Sequence, residues 1–105
     1  MSTVTPLSTE AVARWLALHP APIHTRTLPQ WQDEVRSELG GSSLDALVEL
    51  LADGDPEQQY QAMAAARTLG AEVFAEGSET QMTWKIKLPK QRRFRRIVPR
   101  RQLPG

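Results

Sequence analysis

At 105 residues, 40% hydrophobic and 24% charged, the chain has the size and composition of one small domain with a modest core. It has no cysteine, which excludes a disulfide framework and thiolate metal sites and fits a reducing cytoplasm; "MSTVTPLSTE" lacks the basic and apolar regions of a signal peptide, and no apolar run approaches the length of a membrane span. The formal net charge of +1 conceals a division: residues 1–84 carry twelve acids against four arginines, a net −8, whereas residues 85–105 carry nine bases and no acid, a net +9.

A first helix is predicted from Ser8 or Thr9, with Glu10 in its opening turn. It turns Val12, Trp15, Leu16 and Leu18 inward and stops before Pro20. "APIHTRT" follows, irregular because of its prolines, although "PIHTR" is a candidate short strand. A second helix spans Pro29 to Leu39, with Leu28, Trp31, Val35 and Leu39 at helical spacing, and Gly40-Gly41 ends it. The third starts at Ser42 or Ser43 and buries Leu44, Leu47, Val48 and Leu51. After "ADGDP" the fourth begins, with Asp55 as its cap, Pro56 in the first turn and Gln58 completing a capping box. Tyr60, Ala62, Met63, Ala66 and Leu69 form its apolar stripe, and Gly70 closes it. From Ala71 the period becomes two: "AEVFAEG" and "QMTWKIKL" read as a hairpin with Met82, Trp84, Ile86 and Leu88 on one face and Thr83, Lys85 and Lys87 on the other.

The fourth helix, in "DPEQQYQAMAAARTLGAEVFAEG", runs straight into a hairpin whose second strand, "MTWKIKLP", turns basic. In layout, residues 8–88 resemble a winged helix-turn-helix domain. That resemblance implies a helix in the DNA major groove and a wing along the phosphates. The helix after Asp55 would then read bases with Gln58, Gln59 and Gln61, since glutamine can bond adenine bidentately. Locally, "LVELLADGDPEQQYQAMAAARTLGA" is similar to a single HEAT repeat, whose alanines let two helices approach closely. One unit cannot form a solenoid.

The remaining segment, "KQRRFRRIVPRRQLPG", contains no acid. With the hairpin it supplies the candidate phosphate contacts Lys85, Lys87, Lys90, Arg92, Arg93, Arg95, Arg96, Arg100 and Arg101. Affinity of such a set for a polyanion rises with its charge count and falls with salt. Phe94 either stacks on an unpaired base or wedges against a groove, or instead docks on the bundle with Ile97 and Val98. Taken as a helix, residues 90–98 put Phe94, Ile97 and Val98 on one side. Rival readings of the basic run are a solvated face, an anionic membrane surface and an acidic protein partner.

His19 and His24 flank "PAPI" at no metal-ligand spacing, Trp15 and Trp31 lie on apolar stripes, and the acids of "ADGDPE" are explained as caps. No nucleophile elbow, phosphate loop or other catalytic signature is present, so neither an enzyme nor a bound metal or cofactor is expected. The expectation is an α+β protein: over residues 8–88, a small four-helix bundle topped by a two- or three-stranded β wing, a hairpin for which "PIHTR" is the candidate third strand. A tail at 1–7 precedes it, and a flexible basic C-terminal arm occupies 89–105. The partner expected is nucleic acid, DNA before RNA, with no membrane, in a regulatory or architectural role. Ten arginines, three lysines and no asparagine suggest a GC-rich bacterial or phage genome. The alternative is a protein-interaction module or homodimer whose helical surface binds and whose basic tail assists on an acidic protein or RNA.

Overall fold

The computed structural model describes residues 8–77 and 82–98. The 1–7 tail, the hairpin tip, Arg100 and Arg101 lie outside them. The first helix, α1 (Thr9–Leu18), is capped as expected: Ser8 Oγ accepts the Ala11 N–H at 3.1 Å. Val12 and Leu16 are buried, while Leu18 points to solvent, contrary to its expected inward place. Trp15 is half-buried; its ring stacks on His19 with centroids 4.5 Å apart, and its indole N–H donates to Glu38 Oε2 at 3.0 Å. His19 is thus a packing residue at the helix end.

No strand forms at "PIHTR". Residues 23–27 are bends and a turn, with the Thr27 N–H donating to the His24 carbonyl at 3.3 Å. Pro20 and Pro22 remove backbone donors that a ladder would use and restrict the residues before them. The segment is instead tethered to the bundle by two bonds from distant side chains. The Ala21 N–H donates to Gln61 Oε1 at 2.6 Å, and Trp31 Nε1–H donates to the His19 carbonyl at 2.8 Å.

The second helix, α2 (Leu28–Glu34), continues through Val35–Leu39 as a wider turn, in which the Gly40 N–H reaches the Val35 carbonyl five residues back at 3.0 Å. Trp31, Val35 and Leu39 are buried on one stripe, and Gly40 ends the run at φ +66°. A single tight turn at Gly41–Ser43 leads into α3 (Leu44–Asp53), which buries Ala46, Leu47, Leu50 and Leu51.

The turn into α4 (Pro56–Thr68) is closed from both sides. Asp55 accepts the Gln58 N–H at 2.8 Å while Gln58 Oε1 accepts the Asp55 N–H at 3.0 Å. Gly54 has no room for a side chain: a Cβ there would lie 2.5 Å from the Leu50 carbonyl oxygen. Between α3 and α4 the interface is small-residue, with Ala62, Ala65 and Ala66 fully buried. This rotates Tyr60, expected on the apolar stripe, to the outside, and brings Gln59 and Gln61 in beside the alanines. The helix ends in a paired reversal, with the Gly70 N–H bonded to the Arg67 carbonyl and the Ala71 N–H to the Ala66 carbonyl, Gly70 taking φ +100°.

Among the described residues, three antiparallel strands complete an α+β architecture of four helices and one sheet: β1 (Glu72–Gly77), β2 (Met82–Lys87) and β3 (Arg95–Ile97), with β2 central. In register, Val73 faces Ile86, Ala75 faces Trp84, and Trp84 faces Ile97. Val73, Trp84, Ile86 and Ile97 are buried against the helices, α4 next to β1 and α3 next to β3. The third strand therefore comes from the segment expected to be a flexible arm, and the folded unit does not end at residue 88. The helical form considered for 90–98 is also overturned, since pairing with β2 sends Ile97 inward while Phe94 and Val98 stay exposed. No described helix is long and apolar enough to cross a membrane.

Candidate nucleic-acid interface

The outer face of the sheet, opposite the helices, carries the alternate residues of each strand. On β1 these are Glu72, Phe74 and Glu76; on β2 they are Thr83, Lys85 and Lys87; β3 adds Arg96, opposite Lys85. Lys87 stands directly across from Glu72, and Lys85 across from Phe74. The two lysines form ion pairs, Lys87 Nζ to Glu72 Oε2 at 2.8 Å and Lys85 Nζ to Glu76 Oε1 at 3.3 Å. The hairpin thus carries its own counter-charges. Arg96, exposed beside Lys85, has no ion pair among the described residues.

Uncompensated charge is concentrated one connection later. Leu88-Pro89-Lys90-Gln91 is a turn closed by the Gln91 N–H donating to the Leu88 carbonyl at 3.0 Å, with Lys90 at φ +76°. Proline second and a positive φ third is a type II turn, which usually places glycine where Lys90 stands. The conformation costs a lysine on the order of 1 kcal/mol. The turn reverses the chain so that Arg92 and Arg93 are exposed ahead of β3. Lys90, Arg92, Arg93, Arg95 and Arg96 are all exposed, and none has an acidic partner among the described residues.

Strand pairing also sorts this set. Arg95 lies opposite Ile86, on the side of the sheet that faces the helices, and is exposed there only because β3 is an edge strand. Arg96 and Phe94 belong to the outer side. The Phe94 ring meets Phe74 with centroids 5.8 Å apart at 45°, and Lys87 Nζ lies 5.8 Å from the Phe94 centroid. The contact therefore joins β1 to the residue preceding β3, passing over β2. Both rings stay open to solvent, Phe74 48% and Phe94 41% exposed. Phe74 has no place in the sequence reading of the site. Its alternation with Glu72 and Glu76 is the signal that could have found it.

The glutamines are placed otherwise than the winged-helix resemblance implies. Gln59 is 3% and Gln61 9% exposed; Gln59 Nε2–H donates to the Gly54 carbonyl at 3.2 Å, and Gln61 holds Ala21. Gln58 is engaged in the capping box. All three amides serve the fold, and the same helix end is crowded by Asp53, Asp55 and Glu57. Arg67 is likewise structural: Nε and Nη2 both donate to the Val73 carbonyl, at 3.1 and 2.6 Å, fastening the end of α4 to β1.

No protein-family model, no curated protein and no solved structure matches this chain.

Proposed function

We propose that this protein binds nucleic acid without catalysis, using the outer face of the sheet and the 88–98 segment on the phosphate backbone. A small regulatory or architectural protein of the bacterial cytoplasm, favouring DNA and with modest sequence preference, is the role that fits. The observation that carries this reading is the run of exposed cations without acidic partners among the described residues, Lys90, Arg92, Arg93, Arg95 and Arg96, anchored by a turn and a strand. Cations held in place lose less conformational entropy on meeting a phosphate than cations on a loose tail. The winged-helix likeness contributes through its wing: with Gln58, Gln59 and Gln61 internally bonded, base reading by α4 is not part of the proposal.

The test is the salt dependence of duplex binding by the full chain and by a variant carrying Arg92→Gln, Arg93→Gln and Arg96→Gln. Truncation after Leu88 would strip Ile97 from the core, so substitution is the cleaner comparison. For roughly six phosphate contacts the log–log slope is expected near −5, falling to about −2 to −3 in the variant. A slope near zero would sink the reading.

One observation favours a second reading, a protein-interaction module. A cleft of about 350 Å³ lies between α1 and the start of α4, lined by Leu16, Ala17 and Leu50 on one side and Asp55, Glu57 and Gln58 on the other, and Leu18 and Ile23 are exposed elsewhere. Salt-insensitive binding to a protein, lost on polar substitution of Leu18 or Ala17, is what that reading expects.

A further inference from the structure

We infer that the sheet's outer face takes a single strand rather than a duplex, with Phe74 and Phe94 as platforms for unpaired bases and Lys85, Lys87 and Arg96 beside them for the flanking phosphates. This rests on the nucleic-acid reading and names its substrate class. Two phenylalanines, each nearly half exposed, occupy a face where polar residues would be the ordinary choice. They belong to β1 and to the residue preceding β3, yet their rings meet across the central strand. Each has a cation beside it: Lys85 is the cross-strand partner of Phe74, and Lys87 Nζ is 5.8 Å from the Phe94 centroid. Aromatic rings interleaved with cations on one face match the bases and phosphates of a single strand.

The geometry selects the unpaired form. In a duplex the base faces are covered by stacking and only edges are offered, and the major groove admits a helix or a two-stranded ribbon. A three-stranded face presenting rings has nothing to read there. With the rings in contact, a base settles on the outside of the pair rather than between them, and stacking of this kind is tolerant of sequence because every base has a face to offer. On the β1 edge, Glu72 and Glu76 engage Lys87 and Lys85, whereas Arg96, on the β3 side of the same face, has no ion pair among the described residues.

The experiment uses the full chain with oligo(dT), oligo(U) and a blunt DNA duplex of equal length, and a single strand carrying 2-aminopurine to report stacking. Both single strands are expected to bind about tenfold more tightly than the duplex at the same salt, with 2-aminopurine fluorescence quenched. Phe74→Leu and Phe94→Leu should each lower single-strand affinity by about tenfold and relieve the quench, whereas Phe74→Tyr and Phe94→Tyr retain both. The tyrosine variants keep the test decisive if a leucine variant unfolds. Should single strands and duplex bind alike, with a steep salt slope and no response to the leucine variants, stacking is overturned while the phosphate-binding reading stands. Binding to neither nucleic acid overturns both. Capture by vesicles of phosphatidylserine and phosphatidylcholine, lost in the leucine variants and with no oligonucleotide binding, would assign the face to lipid and overturn the proposal.

Discussion

Gln61 shows how one side chain can carry the appearance of a reading head and the work of a strut. Its place near the start of a helix suits base contact, but its Oε1 accepts the Ala21 N–H at 2.6 Å in a nearly closed setting. Gln61→Leu fills the space and leaves that N–H without its acceptor. The expected cost is about 1–3 kcal/mol of folding stability, measured as a lower urea midpoint at unchanged slope. Nucleic-acid affinity of the folded variant should be unaltered, because the amide has no ligand to lose. Lys90 represents the opposite case. A side chain in a left-handed turn conformation is retained where glycine would be more comfortable, and the cation it contributes opens the exposed basic run.

Among the elements, β3 is the one on which the site depends. Three residues long, it has little pairing of its own and is held by Ile97, paired with Trp84 of β2 and buried on the helix side of the sheet. Ile97→Ala removes most of that anchor, with an expected destabilisation of about 2–4 kcal/mol. Amide exchange should show the loss first at residues 95–97, and nucleic-acid binding should weaken although no charge has been changed. Unaltered exchange protection and unaltered affinity would mean that docking of this strand does not organise the basic segment. The other elements are held from several sides: α4 by a capping box at one end, a glycine-terminated reversal at the other and the Arg67 link to β1, so no single one of these contacts decides its position.

At the level of the whole molecule, charge is distributed by layer. Most acids lie on the helices, while the sheet and the connection between β2 and β3 hold the basic excess. On the proposed function, a polyanion would be repelled from the helical side and attracted to the other, and this would orient the complex before contact. Glu72 and Glu76 are the exception, acids on the basic side. Their ion pairs are partly exposed and contribute on the order of 0–1 kcal/mol each. Glu72→Gln together with Glu76→Gln should therefore leave stability almost unchanged while raising nucleic-acid affinity several-fold and steepening its salt slope, as seen by titration at several ionic strengths. Weaker binding would indicate that the glutamates position the lysines rather than restrain them.

The helices, their caps and the inward face of the hairpin were legible in the linear chain, because each is written over a few neighbouring residues. Asp55 with Gln58, Gly40 and Gly70 at helix ends, and the alternation through Trp84 and Ile86 are all patterns of short range. What the tertiary structure alone decided was the meaning of residues 88–98 and of the outer face. Phe94, Ile97 and Val98 fall at spacings of three and four, which suits a helix, and no local signal shows that a partner strand is waiting for them. Pairing with β2 imposes a period of two, sends Ile97 and Phe94 to opposite sides, and separates Arg95 from Arg96. Likewise, nothing near Lys85 and Lys87 in the chain reveals that Glu76 and Glu72 will stand against them, and nothing near Gln61 reveals Ala21, forty residues away. Contacts of that separation exist only after the chain has closed on itself, so the charge total belonged to the sequence and the surface on which it is displayed belonged to the fold.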